Sequence, residues 1–215
     1  MSALAPEKLV AAARLAGVGD ARVIAALRSV PRALFVPPPL VDRAYADEPL
    51  PIAHGQVTTQ PSLVATMVEA LALTGDEQVL EVGSGYGWQT ALLAALGRYV
   101  WSVERWPHLA AAARANLEHH GTRNVEVLTG DGSEGLAAQA PFDAIIVSAA
   151  FPEVPPPLVE QLAARGRLVQ PIGSGGAEEV VLFERRADAL VRSRRLTGAR
   201  FVPLVGRHGF RPGAS

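Results

Sequence analysis

Residues 79–87 of this chain read VLEVGSGYG and give the strongest indication of its architecture. An apolar run leads directly into glycines at alternate positions, and a stretch with helical apolar spacing follows at 88–97. Glycines between a buried strand and a helix let the backbone approach a ligand closely at the N-terminus of that helix. The segment therefore predicts a strand, a ligand-binding turn and a helix.

On the C-terminal side of this segment, short apolar runs alternate with helical ones. We predict helices at 88–97, 107–121 and 156–166, and strands at 78–83, 99–104, 125–131, 142–150, 166–173, 180–186 and 189–204. The run FDAIIVSAA at 142–150 is almost entirely apolar, which is typical of a central strand buried on both faces. This alternation predicts a Rossmann-like, doubly wound α/β fold. Its sheet is expected to be seven-stranded and mostly parallel, with an antiparallel C-terminal strand and helices on both faces.

The N-terminal part is predicted to be a helical extension packed on this core. Helices are expected at 7–16, 20–29 and 62–73, with Asp20 as the N-cap of the second. Prolines make 30–40 an irregular, surface-hugging connector and 42–61 a long loop, and an ordered loop of that length usually has a functional reason. We divide the chain into N-terminal helices with a substrate loop (1–75), a core (76–206) and a tail (207–215), which together form one structural domain.

The composition excludes several classes of protein. With 215 residues, 49% apolar and 19% charged, the chain is long and apolar enough for a buried core, which excludes overall disorder. A net charge of −1 gives no overall field that would attract nucleic acid or an anionic membrane. Cysteine is absent, which removes disulfides and thiolate metal sites, and the histidines lack metal-ligand spacing. No signal peptide or membrane span is read, so we expect a cytoplasmic protein.

Acidic residues at successive strand ends point to a nucleoside ligand. Glu104 ends the strand after the glycine segment, where an acid accepts hydrogen bonds from the hydroxyls of a ribose, and Asp131-Gly132 ends the third strand. A dinucleotide site requires the spacing G-x-G-x-x-G, but here the spacing is G-x-G-x-G and Trp88 stands where the last glycine belongs. An oxidoreductase is therefore disfavoured. The alternative is a tight turn beside solvated acids, which would not need all of these residues.

The order of motifs along the chain is similar to that of one enzyme family. The glycine spacing with an acid two residues earlier resembles class I S-adenosylmethionine-dependent methyltransferases. The chain as a whole, over about residues 20–206, resembles the protein-L-isoaspartate O-methyltransferases, which methylate damaged aspartyl residues. The segments that carry this resemblance besides VLEVGSGYG are VPRALFVPPPL (30–40), AYADEPLPIAHGQVTTQPSLVATMVEAL (44–71), SVER (102–105), GDG (130–132), PFDAIIVSAA (141–150) and GRLVQPIG (166–173). The loop within 49–61 is the most specific of them, because generic methyltransferases lack it.

The resemblance implies a serine near the transferred methyl group, in a loop pattern of the type GQTISQP. Here that loop reads GQVTTQP at 55–61, so Thr59 occupies the serine position and is the predicted catalytic residue. The family's FVPLT-like segment reads FVPLV at 201–205, so Val205 replaces a threonine that lies close to the cofactor. The cofactor is then S-adenosylmethionine, with S-adenosylhomocysteine as product and no metal. It is assigned to Thr58, Thr59, Gln60, Glu81, Gly83, Ser84, Gly85, Gly87, Glu104, Arg105, Asp131 and Gly132, and the substrate to His54, Gln56 and Ser148.

Methyl transfer to a carboxylate is an in-line displacement that needs no strong general base, because the carboxylate is already ionised at pH 7. The loop offers Thr58, Thr59 and Gln60 without an acid–base pair, so catalysis is expected to come from alignment and from partial removal of water. The methyl ester then lets the neighbouring backbone nitrogen close a succinimide, which is how family members start repair.

Three functions stay open on the sequence. The first is repair methylation of L-isoaspartyl and D-aspartyl residues, with damaged proteins and peptides as partners and a monomeric chain. The second is methylation of a different peptide carboxylate, and the third is cofactor binding without turnover. His54 is either a pocket residue or a turn contact. The arginines between 185 and 195 are interpreted as protection of an edge strand in preference to an RNA-binding edge.

Overall fold

The structure, a computed structural model, describes residues 5–187 and 189–211. Its α-helices are α1 (Ala5–Leu15), α2 (Ala21–Ser29), α3 (Pro61–Ala70), α4 (Trp88–Leu96), α5 (Pro107–His120) and α6 (Pro156–Gln161). Its strands are β1 (Leu50–Pro51), β2 (Val57–Thr58), β3 (Gln78–Val82), β4 (Tyr99–Glu104), β5 (Val125–Thr129), β6 (Phe142–Val147), β7 (Leu162–Ile172), β8 (Glu178–Arg186) and β9 (Ala189–Ala199). None of the described helices is both long enough and apolar enough to cross a lipid bilayer.

The core is a seven-stranded sheet in the order β5-β4-β3-β6-β7-β8-β9. The strands from β5 to β7 pair in parallel, whereas β8 pairs antiparallel with β7 and β9 antiparallel with β8. The predicted sheet and its antiparallel C-terminal end are therefore confirmed. The strand order reverses between β3 and β6, and ligands of open α/β sheets bind beyond the carboxyl ends of the strands at such a point.

Helix α4 connects the sheet to the N-terminal helices. It is apolar around most of its circumference, and all its residues except Ala95 are buried. A helix that is apolar all round must be covered on every side, and α4 contacts β4 as well as α2 and α3. The N-terminal helices therefore cover the helix that begins directly after the glycine turn.

The start of α2 is fixed as the sequence predicts. The Asp20 carboxylate accepts hydrogen bonds from the backbone N–H groups of Arg22 at 2.7 Å and Val23 at 3.4 Å, so it caps the helix. The backbone N–H groups of Gly19 and Asp20 both donate to Glu69 of α3, at 2.7 Å each. The cap therefore also joins α2 to α3.

Three sequence predictions need correction. The strand predicted over 189–204 ends at Ala199, where its pairing with β8 ends at Glu178. The helix predicted over 156–166 ends at Gln161, because Leu162 already pairs with Phe142 of β6 and the Arg185 guanidinium binds the carbonyl groups of Val159, Glu160 and Leu162. Sheet pairing of β7 therefore overrides the helical pattern.

The connector at 30–40 is also different from the prediction. It forms 3₁₀ turns at Arg32–Phe35 and Pro38–Arg43, and both Arg32 and Phe35 are completely buried. The prolines break the α-helix as expected, but the part from Arg32 to Val36 is largely buried, whereas Pro38 and Pro39 lie at the surface. The long loop at 42–61 contains the short hairpin of β1 and β2.

Candidate active site

The glycine turn forms the floor of a cleft at the carboxyl ends of β3 and β4. Gly85 has a φ of 55°, in the left-handed region that favours glycine, and it lines this cleft. A Cβ atom on Gly85 would stand 3.6 Å from Ile52 of the loop, so a larger side chain would occupy the cleft. At the neighbouring strand end, a Cβ atom on Gly132 would lie 2.3 Å from Val82, which leaves no room for any other residue.

The carboxylate of Glu104 is held at the edge of the cleft by backbone donors. Gly85 N–H donates to one of its oxygens and Trp106 N–H to the other, each at 3.0 Å. Glu104 is 5% exposed and lines the cleft. A carboxylate fixed in this way retains acceptor capacity for two neighbouring hydroxyl groups.

Glu81 lies behind the glycine turn and does not line the cleft. It is fully buried and accepts hydrogen bonds from Thr90 and Ser102, both at 2.5 Å, and from the Gln89 amide at 3.0 Å. Burial raises the pKa of Glu81 to about 7, although these hydrogen bonds oppose the rise. Ser84 of the turn contacts Ser102 at 2.5 Å, so the network supports the turn from beneath.

Asp131 is placed outside the cleft, although its neighbour Gly132 lines it. Its carboxylate accepts hydrogen bonds from Ser133 N–H at 2.9 Å, from the Ser133 hydroxyl at 2.6 Å and from Arg207 N–H at 2.6 Å. Partial burial raises the pKa of Asp131, but these hydrogen bonds outweigh that effect and leave it below its ordinary value. Here Asp131 joins the turn after β5 to the C-terminal segment.

The two threonines of the loop have different surroundings. The Thr58 hydroxyl accepts hydrogen bonds from the Arg32 guanidinium at 2.9 Å and from Leu50 N–H at 3.2 Å. For the Thr59 hydroxyl we find no hydrogen-bond partner among residues 5–187 and 189–211, although Thr59 lines the cleft. Thr59 therefore has a hydroxyl group that is available to a ligand.

A second cavity lies directly beside the cleft. Its walls are the start of α3 and the segment from Leu196 to Val202. Val57, Thr59, Ser148 and Val202 line both spaces, so they form the wall between them. Gln60 lines the second cavity only, where its amide donates to Asp47 at 2.8 Å.

The mouth of the cleft is bordered by an aromatic pair, of which the sequence analysis assigned His54 to the substrate and did not assign Trp106. The ring of exposed His54 stacks on Trp106 with centroids 4.1 Å apart and an interplanar angle of 2°. Trp106 lines the cleft, whereas His54 packs on its outer side. The Gln56 amide donates to the His54 carbonyl at 3.0 Å, which orders this part of the loop.

The cleft thus brings together many of the residues that the sequence analysis assigned, and others lie outside its lining. Those that line it are Gln56, Thr58, Thr59, Gly83, Ser84, Gly85, Glu104, Arg105, Gly132 and Ser148, and those that do not are His54, Gln60, Glu81, Gly87 and Asp131. Val205 also lines the cleft. Sequence reasoning missed Arg32 and Trp106; a basic residue within the otherwise apolar VPRALFV segment was the available signal for Arg32. Within the described residues, no group of three or more potential metal ligands comes together.

Comparisons with known proteins extend over nearly the whole chain. The family model described as protein-L-isoaspartate(D-aspartate) O-methyltransferase matches residues 5–209. A protein-L-isoaspartate O-methyltransferase from Anaeromyxobacter dehalogenans (strain 2CP-C) is 54% identical over 191 residues, which cover 88% of this chain and 91% of the relative.

Solved structures give the same result for the fold. A protein-L-isoaspartate O-methyltransferase structure has a TM-score of 0.83 at 30% identity and covers 95% of this chain and 67% of that chain. A Plasmodium falciparum protein solved in complex with S-adenosyl-L-homocysteine has a TM-score of 0.79 at 22% identity, with 92% of this chain and 96% of that chain covered, and it supports the fold. The match of the family model and the identity to its curated relatives together establish that the chain belongs to the protein-L-isoaspartate(D-aspartate) O-methyltransferase family.

Proposed function

We propose that this chain transfers the methyl group of S-adenosylmethionine to the free carboxylate of L-isoaspartyl and D-aspartyl residues in damaged proteins and peptides, and so starts their repair. Membership of the family gives the reaction class. The observation that carries the proposal is the shared wall: Thr59 and Ser148 line both the cleft and the second cavity. A transferase needs two ligands whose reacting atoms meet, and two adjoining spaces with hydroxyl groups between them provide that arrangement.

The lining of the cleft suits the cofactor in its chemistry. Glu104 provides acceptors for the ribose hydroxyls, and Val103, Leu109 and Leu204 provide apolar walls. Gln89 also lines the cleft, and its amide oxygen is a buried acceptor without a partner among the described residues. These groups match a ligand that has hydroxyl and ammonium donors besides an apolar ring system.

When bound, S-adenosylmethionine supplies a methyl group on a positively charged sulfur. The residues of this chain hold the acceptor carboxylate in line with it. The Thr59 hydroxyl donates a hydrogen bond to one carboxylate oxygen and leaves the other oxygen free to attack. Ser148, which accepts a hydrogen bond from the Gln89 amide at 3.0 Å, retains its own hydroxyl proton as a second donor.

No proton has to leave the acceptor in this reaction. A carboxylate of ordinary pKa is ionised at pH 7. Among the described residues that line the cleft, Glu104 is the only carboxylate, and its oxygens are bound to backbone N–H groups. The chain therefore contributes alignment and exclusion of water. Alignment has a large effect on the rate because the entropy lost in bringing two reactants together is already lost when both are bound.

The acceptor is proposed to enter through the second cavity. One wall of this cavity is the segment from Leu196 to Val202, which comprises the end of strand β9 and the residues after it. Strand β9 lies at the edge of the sheet. Exposed backbone at a sheet edge can hydrogen-bond an extended peptide. The segment leads directly to Val202 in the shared wall, so a peptide along it would bring its side chain to Thr59. We further propose that the chain acts as a monomer. We also propose that it acts without nucleic acid or membrane, since a net charge of −1 gives no overall field that would attract them.

The test uses S-adenosylmethionine with a labelled methyl group and paired peptides that differ only in Asp or isoAsp at one position. We expect base-labile label on the isoAsp peptide and none on the Asp peptide. Label on the Asp peptide instead would indicate a different carboxylate acceptor. Binding of S-adenosylhomocysteine without transfer to either peptide would contradict the proposed function and leave a binding module.

A further inference from the structure

A charged side chain lies completely buried beneath the loop that carries Thr58 and Thr59. Arg32 has 0% exposure, in the turn Arg32–Phe35. Burial lowers the pKa of Arg32 to about 10, so the guanidinium is still protonated at neutral pH. A buried charge is costly unless its hydrogen-bonding groups are satisfied. Its two terminal nitrogens have acceptors and its buried Nε–H has none among the described residues, so the acceptors of the terminal nitrogens reveal what Arg32 is placed to hold.

Within residues 5–187 and 189–211, the hydrogen-bond acceptors of Arg32 all belong to the loop at 42–61. One guanidinium nitrogen donates to the carbonyl groups of Ala44 at 3.0 Å and Ala46 at 3.1 Å. The other donates to the Glu48 carbonyl at 3.2 Å, the Thr58 hydroxyl at 2.9 Å and the Thr59 carbonyl at 3.4 Å. The acceptors come from the first part of the loop and from Thr58 and Thr59 near its end, so one side chain joins both parts.

The same guanidinium contacts the cofactor side of the site. Its carbon atom lies 5.3 Å from the ring centroid of Trp88, within the range of a cation–π interaction. Trp88 is the first residue of α4 after the glycine turn, and it lines the cleft. The Trp88 ring N–H donates in turn to the Val30 carbonyl at 3.3 Å, so the contact is fixed from both sides.

We propose that Arg32 is a positioning residue for methyl transfer. It fixes the Thr58 hydroxyl and the Thr59 carbonyl relative to the glycine turn and so places the Thr59 hydroxyl in the shared wall. The inference rests on the proposed function of that wall. A lysine cannot replace the arginine. The three N–H donors of an ammonium group are on a single nitrogen, whereas the five donors of the planar guanidinium are spread over three nitrogens in a fixed geometry.

The expected effect is on turnover and not on cofactor affinity. In Arg32→Lys, kcat on the isoAsp peptide should fall about tenfold to a hundredfold, the scale of an ångström-sized displacement of reacting groups. The affinity for S-adenosylhomocysteine, measured by calorimetry, should stay unchanged because Glu104 and the glycine turn are intact. Amide hydrogen exchange should accelerate within 44–60 and not in α4.

A matched control exists in Arg185. Its guanidinium also binds backbone carbonyl groups, those of Val159 at 2.9 Å, Glu160 at 3.3 Å and Leu162, but at the end of α6 and outside the lining of both cavities. Arg185→Lys should therefore lower the unfolding temperature without lowering kcat. The comparison separates the loss of carbonyl hydrogen bonds in general from the loss of those that order the loop.

Thr58→Val provides a second test that keeps the buried charge. It removes the hydroxyl that accepts from Arg32, whereas Thr58→Ser retains it, so kcat should fall in Thr58→Val and recover in Thr58→Ser. The effects of Thr58→Val and Arg32→Lys on kcat should be less than additive in the double variant, because both act through one interaction.

The outcomes distinguish this inference from the function on which it rests. A kcat equal to that of the wild type in Arg32→Lys would overturn the positioning role. So would a loss of kcat that is accompanied by weaker binding of S-adenosylhomocysteine and by faster hydrogen exchange throughout the chain. If the wild-type chain binds S-adenosylhomocysteine but methylates no isoAsp peptide, the proposed function fails. In that case hydrogen exchange in Arg32→Lys decides whether Arg32 positions the loop: faster exchange confined to 44–60 supports this role, and any other result contradicts it.

Discussion

Thr59 lies where the two ligands of the proposed reaction would meet. It lines both cavities, and its hydroxyl has no hydrogen-bond partner among the described residues, whereas the hydroxyl of adjacent Thr58 is occupied by Arg32 and Leu50. Threonine is stiffer about χ1 than the serine that the family resemblance implies at this position. Its hydroxyl is therefore held in few orientations, which favours alignment if the orientation is the correct one.

Replacing Thr59 tests the hydroxyl directly. Thr59→Val keeps the branched shape but removes the donor, and turnover should fall by roughly tenfold to a hundredfold, at 1.36 kcal/mol per factor of ten. The affinity for S-adenosylhomocysteine should change much less. Thr59→Ser, which keeps the hydroxyl, should turn over faster than Thr59→Val. Equal kcat values for the three proteins, measured with labelled S-adenosylmethionine, would reduce the loop to a lid that excludes water.

Glu104 is the residue to which we attribute recognition of the ribose. Glu104→Ala should weaken binding of S-adenosylhomocysteine by roughly 1–3 kcal/mol, the scale of hydrogen bonds to a charged group. Glu104→Gln keeps one acceptor oxygen for the backbone donors and should lose less. Calorimetry measures both. An unchanged dissociation constant in Glu104→Ala would remove the residue from this role.

At the scale of elements, the glycine turn is supported by a buried network between β3, β4 and α4. Glu81 lies at its centre and binds Thr90 of α4 and Ser102 of β4. These hydrogen bonds join β3, β4 and α4 on the side of the turn that faces away from the cleft. The backbone groups of the turn itself therefore remain available on the cleft side. The sequence analysis assigned Glu81 to the cofactor because it could not distinguish the two sides of the turn.

This network should make stability depend on pH. The carboxyl of Glu81 has an ordinary pKa of 4.5, which folding raises to about 7, so the folded chain retains a proton that the unfolded chain loses between these values. Its contribution to stability is complete below pH 4.5 and is lost as the pH rises to about 7. A shift of this size corresponds to roughly 3 kcal/mol.

Glu81→Gln removes the titrating group and keeps the shape. Denaturant unfolding at pH 5 and pH 8 should show a smaller loss of stability in the variant than in the wild type. The Thr90 and Ser102 hydroxyls can rotate to accept from the new amide. Identical losses in the two proteins would show that Glu81 is not the source of the pH dependence.

The elements were predicted well where local pattern and sheet pairing agree. The strand at 99–104 and the strand–turn–helix at 78–97 follow directly from apolar runs and glycines. The predicted end of the helix at 156–166 was wrong, because the pairing of Leu162 with Phe142 depends on a strand that is distant in the sequence. The surface path predicted for the connector at 30–40 was wrong for its first part, because burial of Arg32 depends on carbonyl groups of a loop that folds over it.

At the scale of the molecule, the cleft is assembled from the N-terminal helices and loop, the central sheet and the C-terminal segment. Phe35 and Val64 contribute one wall, the glycine turn the floor, and the segment from Val202 to Val205 another wall. A ligand in the cleft therefore contacts parts of the chain that are far apart in sequence. Its binding should stabilise them together.

Thermal unfolding with ligands tests this coupling. S-adenosylhomocysteine at about 100 times its Kd should add about 2.7 kcal/mol to the stability of the fold. That increment corresponds to a rise in Tm of roughly 5–10 °C for a domain of this size. NAD is the control ligand, because the glycine spacing does not suit a pyrophosphate, and it should leave Tm unchanged. A rise with NAD, or none with S-adenosylhomocysteine, would contradict the assignment of the cleft.

The sequence alone was sufficient for the α/β fold, the glycine turn and the family, because these follow from local periodicity and from motifs whose residues are neighbours in the chain. It was not sufficient for the separation of Glu81 and Asp131 from the cleft, or for the support of the loop by Arg32. Those features depend on which face of a strand end or turn a side chain takes and on contacts between distant segments. Only packing of the whole chain fixes such contacts, since each hydrogen bond needs a partner that another element supplies.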